Sequence, residues 1–225
     1  YPGGDADIFA AKIGSNHNIL LIQGNITVSA FVESALAAKN NTVEVFSSTD
    51  GGSTNLELAK RSGASTFIIV DSSYSDSAVS VMPYAAKKKA YVILADKNNI
   101  GQVKDIVSGK AVIIYGYVDQ KVRDELSSLN PEVIGTGEDK YEDNILIADK
   151  MMTEFSITPA IMTDGASVED AMISGESPII FTGRLVPQPT YDFMKQKVRD
   201  GKLVTGQQNL SGTETARAII AALGE

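Results

Sequence analysis

The sequence predicts an α/β fold made of tandem, small, doubly wound units with parallel strands. Three apolar runs end at a glycine, and these glycines, Gly24, Gly116 and Gly206, are 92 and 90 residues apart. Two further apolar runs end at Asp71 and Asp164, which are 93 residues apart. Two independent landmarks therefore indicate a βα repeat of about 92 residues.

The first repeat alternates short, continuously apolar strands with amphipathic helices of about three turns. This alternation is typical of parallel sheets that are covered by helices on both faces. Right-handed crossovers between the strands then make each repeat a small doubly wound unit. The predicted strands are 19–24, 42–46, 67–71 and 90–95, and the predicted helices are 28–36, 55–60, 79–86 and 100–107.

The second repeat shows the same elements in the same order, and a third repeat begins after it. No Pro/Ser-rich run or charge block separates the repeats, so we expect them to share an interface. The predicted divisions are an extension at 1–17, repeats at 18–109 and 110–201, and a partial third unit at 202–225. The later predicted strands are 112–116, 132–134, 160–164, 178–182 and 203–206, and the later helices include 118–129, 144–150, 191–198 and 213–223.

Composition excludes several classes of function. The 225 residues carry 20 Lys+Arg against 28 Asp+Glu, a net charge of −8, which disfavours nucleic-acid partners. The chain has no Cys and one His, which removes thiolate metal sites and most catalytic relays. No run approaches the roughly 18 apolar residues of a membrane helix, so we expect no direct membrane insertion. We also expect no cofactor and no metal.

Three short motifs resemble the type 2 cell-wall-binding repeat of secreted bacterial and some archaeal surface proteins. They are Gly-Glu-Asp-Lys-Tyr at 137–141, Ser-Val-Glu-Asp-Ala at 167–171 and Ser-Pro-Ile-Ile-Phe-Thr at 177–182. Their order and spacing fit that family over nearly the whole chain. Lys140 stands where the family has an arginine, and in the first repeat Ser77 occupies the place of Asp170.

The resemblance implies an extracellular protein of the cell surface or cell wall, whose partners are an envelope polymer or neighbouring surface proteins. It also makes Asp139, Lys140 and Asp170 candidate ligand-binding residues. In Gram-positive bacteria, repeats of this type are taken to hold proteins on an anionic wall polymer. A net charge of −8 suits that partner poorly, so attachment to another envelope component stays open.

Asp71 and Asp164 are further candidates because they end strands, and ligand sites of open α/β sheets lie at the carboxyl ends of strands. Either carboxylate could bind a cation or act as a general base. A short polar residue there also caps the helix that follows, and this is the simpler interpretation.

Two other features have structural explanations that compete with binding. The acidic residues at 138, 139, 142 and 143 could hold Ca²⁺, but they match no standard calcium loop and suit a helix N-terminus. The strand-ending glycines could cradle a phosphate, but no phosphate-binding motif accompanies them. Positive φ angles in tight strand-to-helix turns explain these glycines more simply.

The sequence therefore favours a non-catalytic module that attaches a larger secreted protein to the envelope or helps to assemble a surface layer. One alternative is a small-molecule-binding protein or enzyme with its ligand in the cleft between two similar units. Another is a structural subunit that binds no ligand.

Overall fold

The computed structural model describes residues 10–24, 30–163, 170–182, 186–199 and 204–208. The elements that lie wholly within these residues are nine strands and eight α-helices, and residues 10–12 are also helical. Every strand pair among them is parallel. The predicted α/β fold with parallel strands is confirmed. The chain divides into two compact units, Tyr1–Asn55 and Leu56–Glu225.

Strands and helices alternate along the chain as the apolar pattern predicts. The strands are β1 (Asn18–Gln23), β2 (Thr42–Ser47), β3 (Thr66–Asp71), β4 (Tyr91–Ala95), β5 (Ala111–Tyr115), β6 (Glu132–Ile134), β7 (Pro159–Thr163), β8 (Ile179–Phe181) and β9 (Val204–Gln208). The helices are α1 (Ala30–Ala37), α2 (Gly51–Arg61), α3 (Ser75–Lys88), α4 (Ile100–Val107), α5 (Gln120–Leu126), α6 (Lys140–Phe155), α7 (Asp170–Ile173) and α8 (Gln188–Arg199).

The first unit contains β1 and β2, which pair in register from Asn18 opposite Thr42 onward. Helix α1 packs on one face of this sheet through Val32 and Leu36, both buried. On the strands, Ile22 is 40% exposed, and the described part of this unit has only a small apolar core.

The larger unit contains a four-stranded sheet in the order β4-β3-β5-β6. Successive residues of a strand point to opposite faces, so Ile68 and Ile69 of β3 enter different cores. Helices α2, α4 and α5 cover the face of Ile69, and α3 and α6 cover the face of Ile68. Both faces of the sheet are thus buried, as its continuously apolar strands require.

A three-stranded sheet in the order β8-β7-β9 completes the larger unit. Helix α6 serves both sheets because its adjacent residues face different cores. Ile147 and Met151 pack on the four-stranded sheet, whereas Ala148 and Met152 pack on the three-stranded sheet. One helix therefore fixes the two sheets to each other.

A buried amide reinforces this connection. Asn144 of α6 is fully buried and donates to Ser80 Oγ at 2.7 Å and to the Ile179 carbonyl at 3.0 Å. Its Oδ1 accepts the Phe181 N–H at 2.7 Å. Ser80 Oγ in turn lies 2.7 Å from the Tyr115 hydroxyl. The side chain of Asn144 thus satisfies the outer edge of β8, as a neighbouring strand would.

Equivalent strands occupy equivalent places in the two larger sheets. The strands predicted to end in Asp71 and Asp164 are β3 and β7, each of which lies between two other strands. The strands predicted to end in Gly116 and Gly206 are β5 and β9, and they lie beside β3 and β7. The four-stranded sheet takes two strands from each side of the division predicted at 109/110. The repeat length and the predicted domain bounds stay predictions, and residues 213–223 lie outside the described residues.

The explanation offered for the strand-ending glycines holds at one position and is wrong at another. Gly116 has φ of 64° and follows β5 directly. The φ of Gly24 is not in the left-handed region, and a Cβ there would meet its nearest neighbour at an ordinary 3.7 Å. The backbone conformation at Gly24 therefore does not require glycine. Gly206 does not end its strand either, since β9 continues to Gln208.

Candidate functional site

A cleft of about 340 Å³ lies at the carboxyl ends of β3, β4 and β5. The chain leaves β3 toward β4 and leaves β5 toward β6, in opposite directions along the sheet. Such a reversal opens the crevice in which α/β sheets usually bind ligands. The cleft is lined by Asp71, Ser72, Ser73, Tyr74, Asp96, Lys97, Asn98, Tyr117 and Asp119.

Asp71 forms the buried floor of the cleft, with 5% of its surface exposed. Its Oδ1 accepts the Ser73 N–H at 2.9 Å, and its Oδ2 accepts the Asp119 N–H at 3.3 Å. The expected helix cap is wrong, because α3 begins four residues later and its N-cap, Tyr74, makes no side-chain cap bond. Asp71 instead holds together the loops that follow β3 and β5.

Asp96 organises the loop after β4 in a similar way. Its Oδ1 accepts the N–H groups of Asn98 and Asn99 at 2.7 and 3.1 Å. Its Oδ2 accepts the Ser72 hydroxyl at 3.2 Å, which connects the loops after β3 and β4. The three loops of the cleft are therefore held in place by carboxylates at or next to the strand ends.

Two tyrosines are exposed at the cleft. Tyr74 and Tyr117 are 47% and 42% exposed, and their ring centroids are 5.0 Å apart with an interplanar angle of 49°. Gly137, with φ of 82°, packs directly on the backbone of Tyr117, since a Cβ at Gly137 would lie 2.2 Å from the Tyr117 Cα. The position of Tyr117 thus depends on the loop that precedes α6.

Asp139 and Lys140 lie at the start of α6 and do not line the cleft. Asp139 caps the helix, accepting the Tyr141 N–H at 2.7 Å, as the interpretation of the acidic cluster expects. Lys140 Nζ lies 2.7 Å from Asp76 Oδ2 in the first turn of α3. This hydrogen bond raises the pKa of Lys140. The ion pair connects the N-terminal turns of two helices that pack on the same sheet.

Asp143 belongs to the same acidic run but points inward. It is 4% exposed and accepts the N–H groups of Thr136 and Gly137 at 2.9 and 3.0 Å. Burial raises the pKa of this carboxyl although the two hydrogen bonds oppose the change. Within the described ranges, no three His, Cys, Asp or Glu side chains are grouped to hold a metal ion. Through its bonds to Thr136 and Gly137, Asp143 holds the loop that supports Tyr117.

Two further residues, Asp164 and Asp170, were predicted as site residues. Asp164 lies outside the described residues, and Asp170 is the first residue of α7, with its side chain outside the description. Sequence reasoning missed Tyr74, Asp96 and Tyr117. The rule that selected Asp71, a polar residue at the carboxyl end of a strand, would have selected Asp96, which directly follows β4.

The sequence matches no protein-family model and no curated protein. Its fold is similar to those of two solved cell wall proteins from Clostridium difficile. The likeness to Cwp8 has a TM-score of 0.67 at 20% identity and covers 94% of this chain and 38% of Cwp8. The likeness to Cwp6 has a TM-score of 0.52 at 24% identity and covers 64% of this chain and 26% of Cwp6. At these identities the likeness shows a shared fold.

No helix in the described part of the chain combines the length and the apolar character needed to cross a bilayer.

Proposed function

We infer that this chain is a non-catalytic cell-surface module, which attaches a larger secreted protein to the cell envelope or helps to assemble a surface layer. The observation that carries this proposal is the fold shared with a part of Cwp8 over 94% of the chain. The three motifs at 137–141, 167–171 and 177–182 support it independently. The proposed location is the cell surface or cell wall.

The net charge narrows the proposed partner. With a formal charge of −8, the chain is repelled at long range by a polyanion, so an uncharged or cationic envelope component fits better. A neighbouring surface protein is the other partner that the proposal includes.

Sedimentation with isolated cell envelopes of the source organism tests this function. The purified 225-residue chain should pellet with envelopes and stay in the supernatant without them. An unrelated acidic protein of similar size and charge is the control. Competition by solubilised envelope polysaccharide would identify a polymer partner, and competition by extracted surface proteins would identify a protein. Envelopes that retain no more of the chain than of the control would reject the proposal.

A second candidate function is the binding, with or without catalysis, of a small molecule. The cleft favours it, because its lining residues follow strands from both sides of the division predicted at 109/110. A thermal-shift screen of nucleotides, sugars and metal ions should then raise the melting temperature by several degrees for at least one compound. No shift across the screen would reject this candidate.

A further inference from the structure

The cleft at the carboxyl ends of β3, β4 and β5 has a strongly asymmetric charge. Its lining contains three carboxylates, Asp71, Asp96 and Asp119, and one ammonium group, Lys97. Charges of one sign that line a cleft concentrate their field in it and raise the local concentration of opposite charge. A cationic group is therefore favoured here, and an anionic one is disfavoured.

The tyrosines of the cleft present ring faces that could accept a cation. Elsewhere in the described chain, four aromatic rings have a lysine ammonium within 5.2 to 5.9 Å of the centroid. Among the described residues, no such cation lies over Tyr74 or Tyr117, although both are more than 40% exposed. The four occupied rings are Tyr84, Tyr141, Tyr191 and Phe193.

Hydrogen-bond acceptors are fixed beside these rings. Asp119 Oδ1 accepts the Lys121 N–H at 2.9 Å as the N-cap of α5, and this bond orients the carboxylate. Asp96 is fixed through both of its oxygens, as described above. Each carboxylate oxygen has more than one lone pair, so both groups can still accept bonds from outside. Acceptors held in this way lose little conformational entropy on binding.

We propose that this cleft binds an unsubstituted amino sugar of an envelope glycan, with the protonated amine directed to Asp96 and Asp119. The apolar C–H face of the sugar ring packs on Tyr74 or Tyr117, whose electron-rich faces attract both C–H groups and cations. A volume of about 340 Å³ is at the small end for ligand pockets and suits one or two sugar rings. This inference names the chemistry of the proposed attachment and rests on that function.

Calorimetric titration of the full chain with two matched hexasaccharides tests the proposal. The probes are the hexamer of glucosamine and the hexamer of N-acetylglucosamine, which share ring and linkage but differ in the charge of the amine. At a pH where the amine is protonated, the glucosamine hexamer should bind at least about tenfold more tightly, and added salt should weaken it. Equal affinity for both hexamers, or binding of neither, would overturn the inference.

Two variants of the cleft and one matched control locate the binding. Asp119→Asn keeps a side chain that caps helices equally well and removes one charge, so affinity should fall about fivefold. Tyr117→Ala removes a ring face and should weaken binding about tenfold. Asp192→Asn changes the net charge equally on an exposed position of α8 and should bind as the unmodified chain does. Cleft variants that bind normally would contradict the assignment.

A lysine hexapeptide distinguishes a glycan from a protein source of the amine. We expect it to bind at least about tenfold more weakly than the glucosamine hexamer and without dependence on Tyr117. Equal affinity with the same dependence would overturn the amino-sugar assignment in favour of a peptide. If Asp119→Asn pellets with envelopes as well as the unmodified chain, this inference fails while the attachment function stands. If the chain binds the glucosamine hexamer but does not pellet with envelopes, the attachment function fails instead.

Discussion

Asn144 shows how one polar side chain can join two sheets. Its amide meets three partners in a region without solvent exposure, and it reaches from Ser80 beside the four-stranded sheet to the outer edge of β8. Buried polar groups of this kind are costly when a partner is removed, because the remaining donors and acceptors stay desolvated. The joint between the sheets therefore depends on an intact network.

Replacing Asn144 with alanine should destabilise the larger unit strongly. The Ile179 carbonyl, the Phe181 N–H and Ser80 Oγ each lose a partner, and we expect a loss of about 3 kcal/mol in the free energy of unfolding. Urea denaturation followed by circular dichroism measures it. Gln196→Ala, which shortens an exposed amide on α8, should change stability by less than about 0.5 kcal/mol. Equal losses in the two variants would show that the network contributes nothing.

Asp143 should give the folded chain a characteristic pH dependence. Burial raises its folded pKa above the ordinary 3.8, so the folded state binds the proton more tightly than the unfolded state does. Its contribution is therefore most favourable below that ordinary value and is lost as pH rises through the folded pKa. The stability of the unmodified chain relative to Asp143→Asn should therefore fall as pH rises above 3.8 and through the folded pKa.

Glu154 provides the opposite case for comparison. A hydrogen bond from Lys88 lowers the pKa of Glu154 below its ordinary 4.5, so its stabilisation is present above that value and is lost as pH falls. The stability of the unmodified chain relative to Glu154→Gln should therefore rise with pH below 4.5 and level off above that value. Denaturation curves at several pH values measure both slopes. Slopes of the same sign would contradict the assigned origin of the Asp143 shift.

At the residue scale, the sequence predicts where a functional side chain lies better than it predicts what that side chain contacts. Asp71 was selected because it ends a strand, and it does lie in the cleft. Its partners, Ser73 and the Asp119 N–H, come from loops whose proximity depends on β3 and β5 being neighbours. Strand order follows from tertiary packing, and local sequence patterns do not contain it. The sequence therefore could not show that Asp71 bonds the loop after β5, and the capping role predicted for Asp71 was wrong.

At the scale of elements, buried strands and helices are predicted closely, and capped helix starts are missed. The apolar run predicts β3 at 67–71, and the strand is Thr66–Asp71. The polar residues at 47–52 instead suggest a turn, yet α2 begins at Gly51. Asp50 accepts the N–H groups of Gly52 and Ser53 at 3.2 and 2.8 Å, and this cap starts the helix early.

The loop before α6 should be intolerant of any side chain at Gly137. Gly137 has a φ of 82°, which a residue with a side chain rarely adopts. An added Cβ would also collide with the backbone of Tyr117, which cannot move as a flexible side chain would. We expect Gly137→Ala to cost more than about 3 kcal/mol and to displace Tyr117. Unfolding measurements give the cost, and a crystal structure or tyrosine accessibility gives the displacement.

Gly63→Ala is the matched control for that substitution. Gly63 has a φ of 64°, but nothing lies within 4 Å of an added Cβ, so only the left-handed conformation is penalised. The expected cost is about 1 to 2 kcal/mol. A Gly137→Ala variant no less stable than Gly63→Ala would show that the contact with Tyr117 is loose.

At the scale of the whole molecule, the same kinds of strand recur in the same order in the two larger sheets. In both larger sheets the strand predicted to end in aspartate, β3 or β7, lies between two others, and one of these neighbours is the strand predicted to end in glycine, β5 or β9. A regular spacing of landmarks can predict this recurrence, because duplicated segments bury the same faces. Spacing does not predict which sheet a strand joins, since pairing is decided by long-range contacts.

The strands of the two units differ in how far they are buried and paired, and we expect their backbone amides to differ in hydrogen exchange. Residues Ile68, Ile69 and Val70 of β3 are 0% exposed, and the strand is paired on both sides and covered on both faces. Among the described residues, β1 pairs with β2 alone, and its Ile22 is 40% exposed.

Strands with fewer buried contacts open at a lower free energy than the central strands of a core. We therefore expect peptide amides of β1 to exchange at least about tenfold faster than those of β3 in native-state exchange read by mass spectrometry. Amides of β1 that exchange as slowly as those of β3 would show that the first unit is stabilised by more than its own small core.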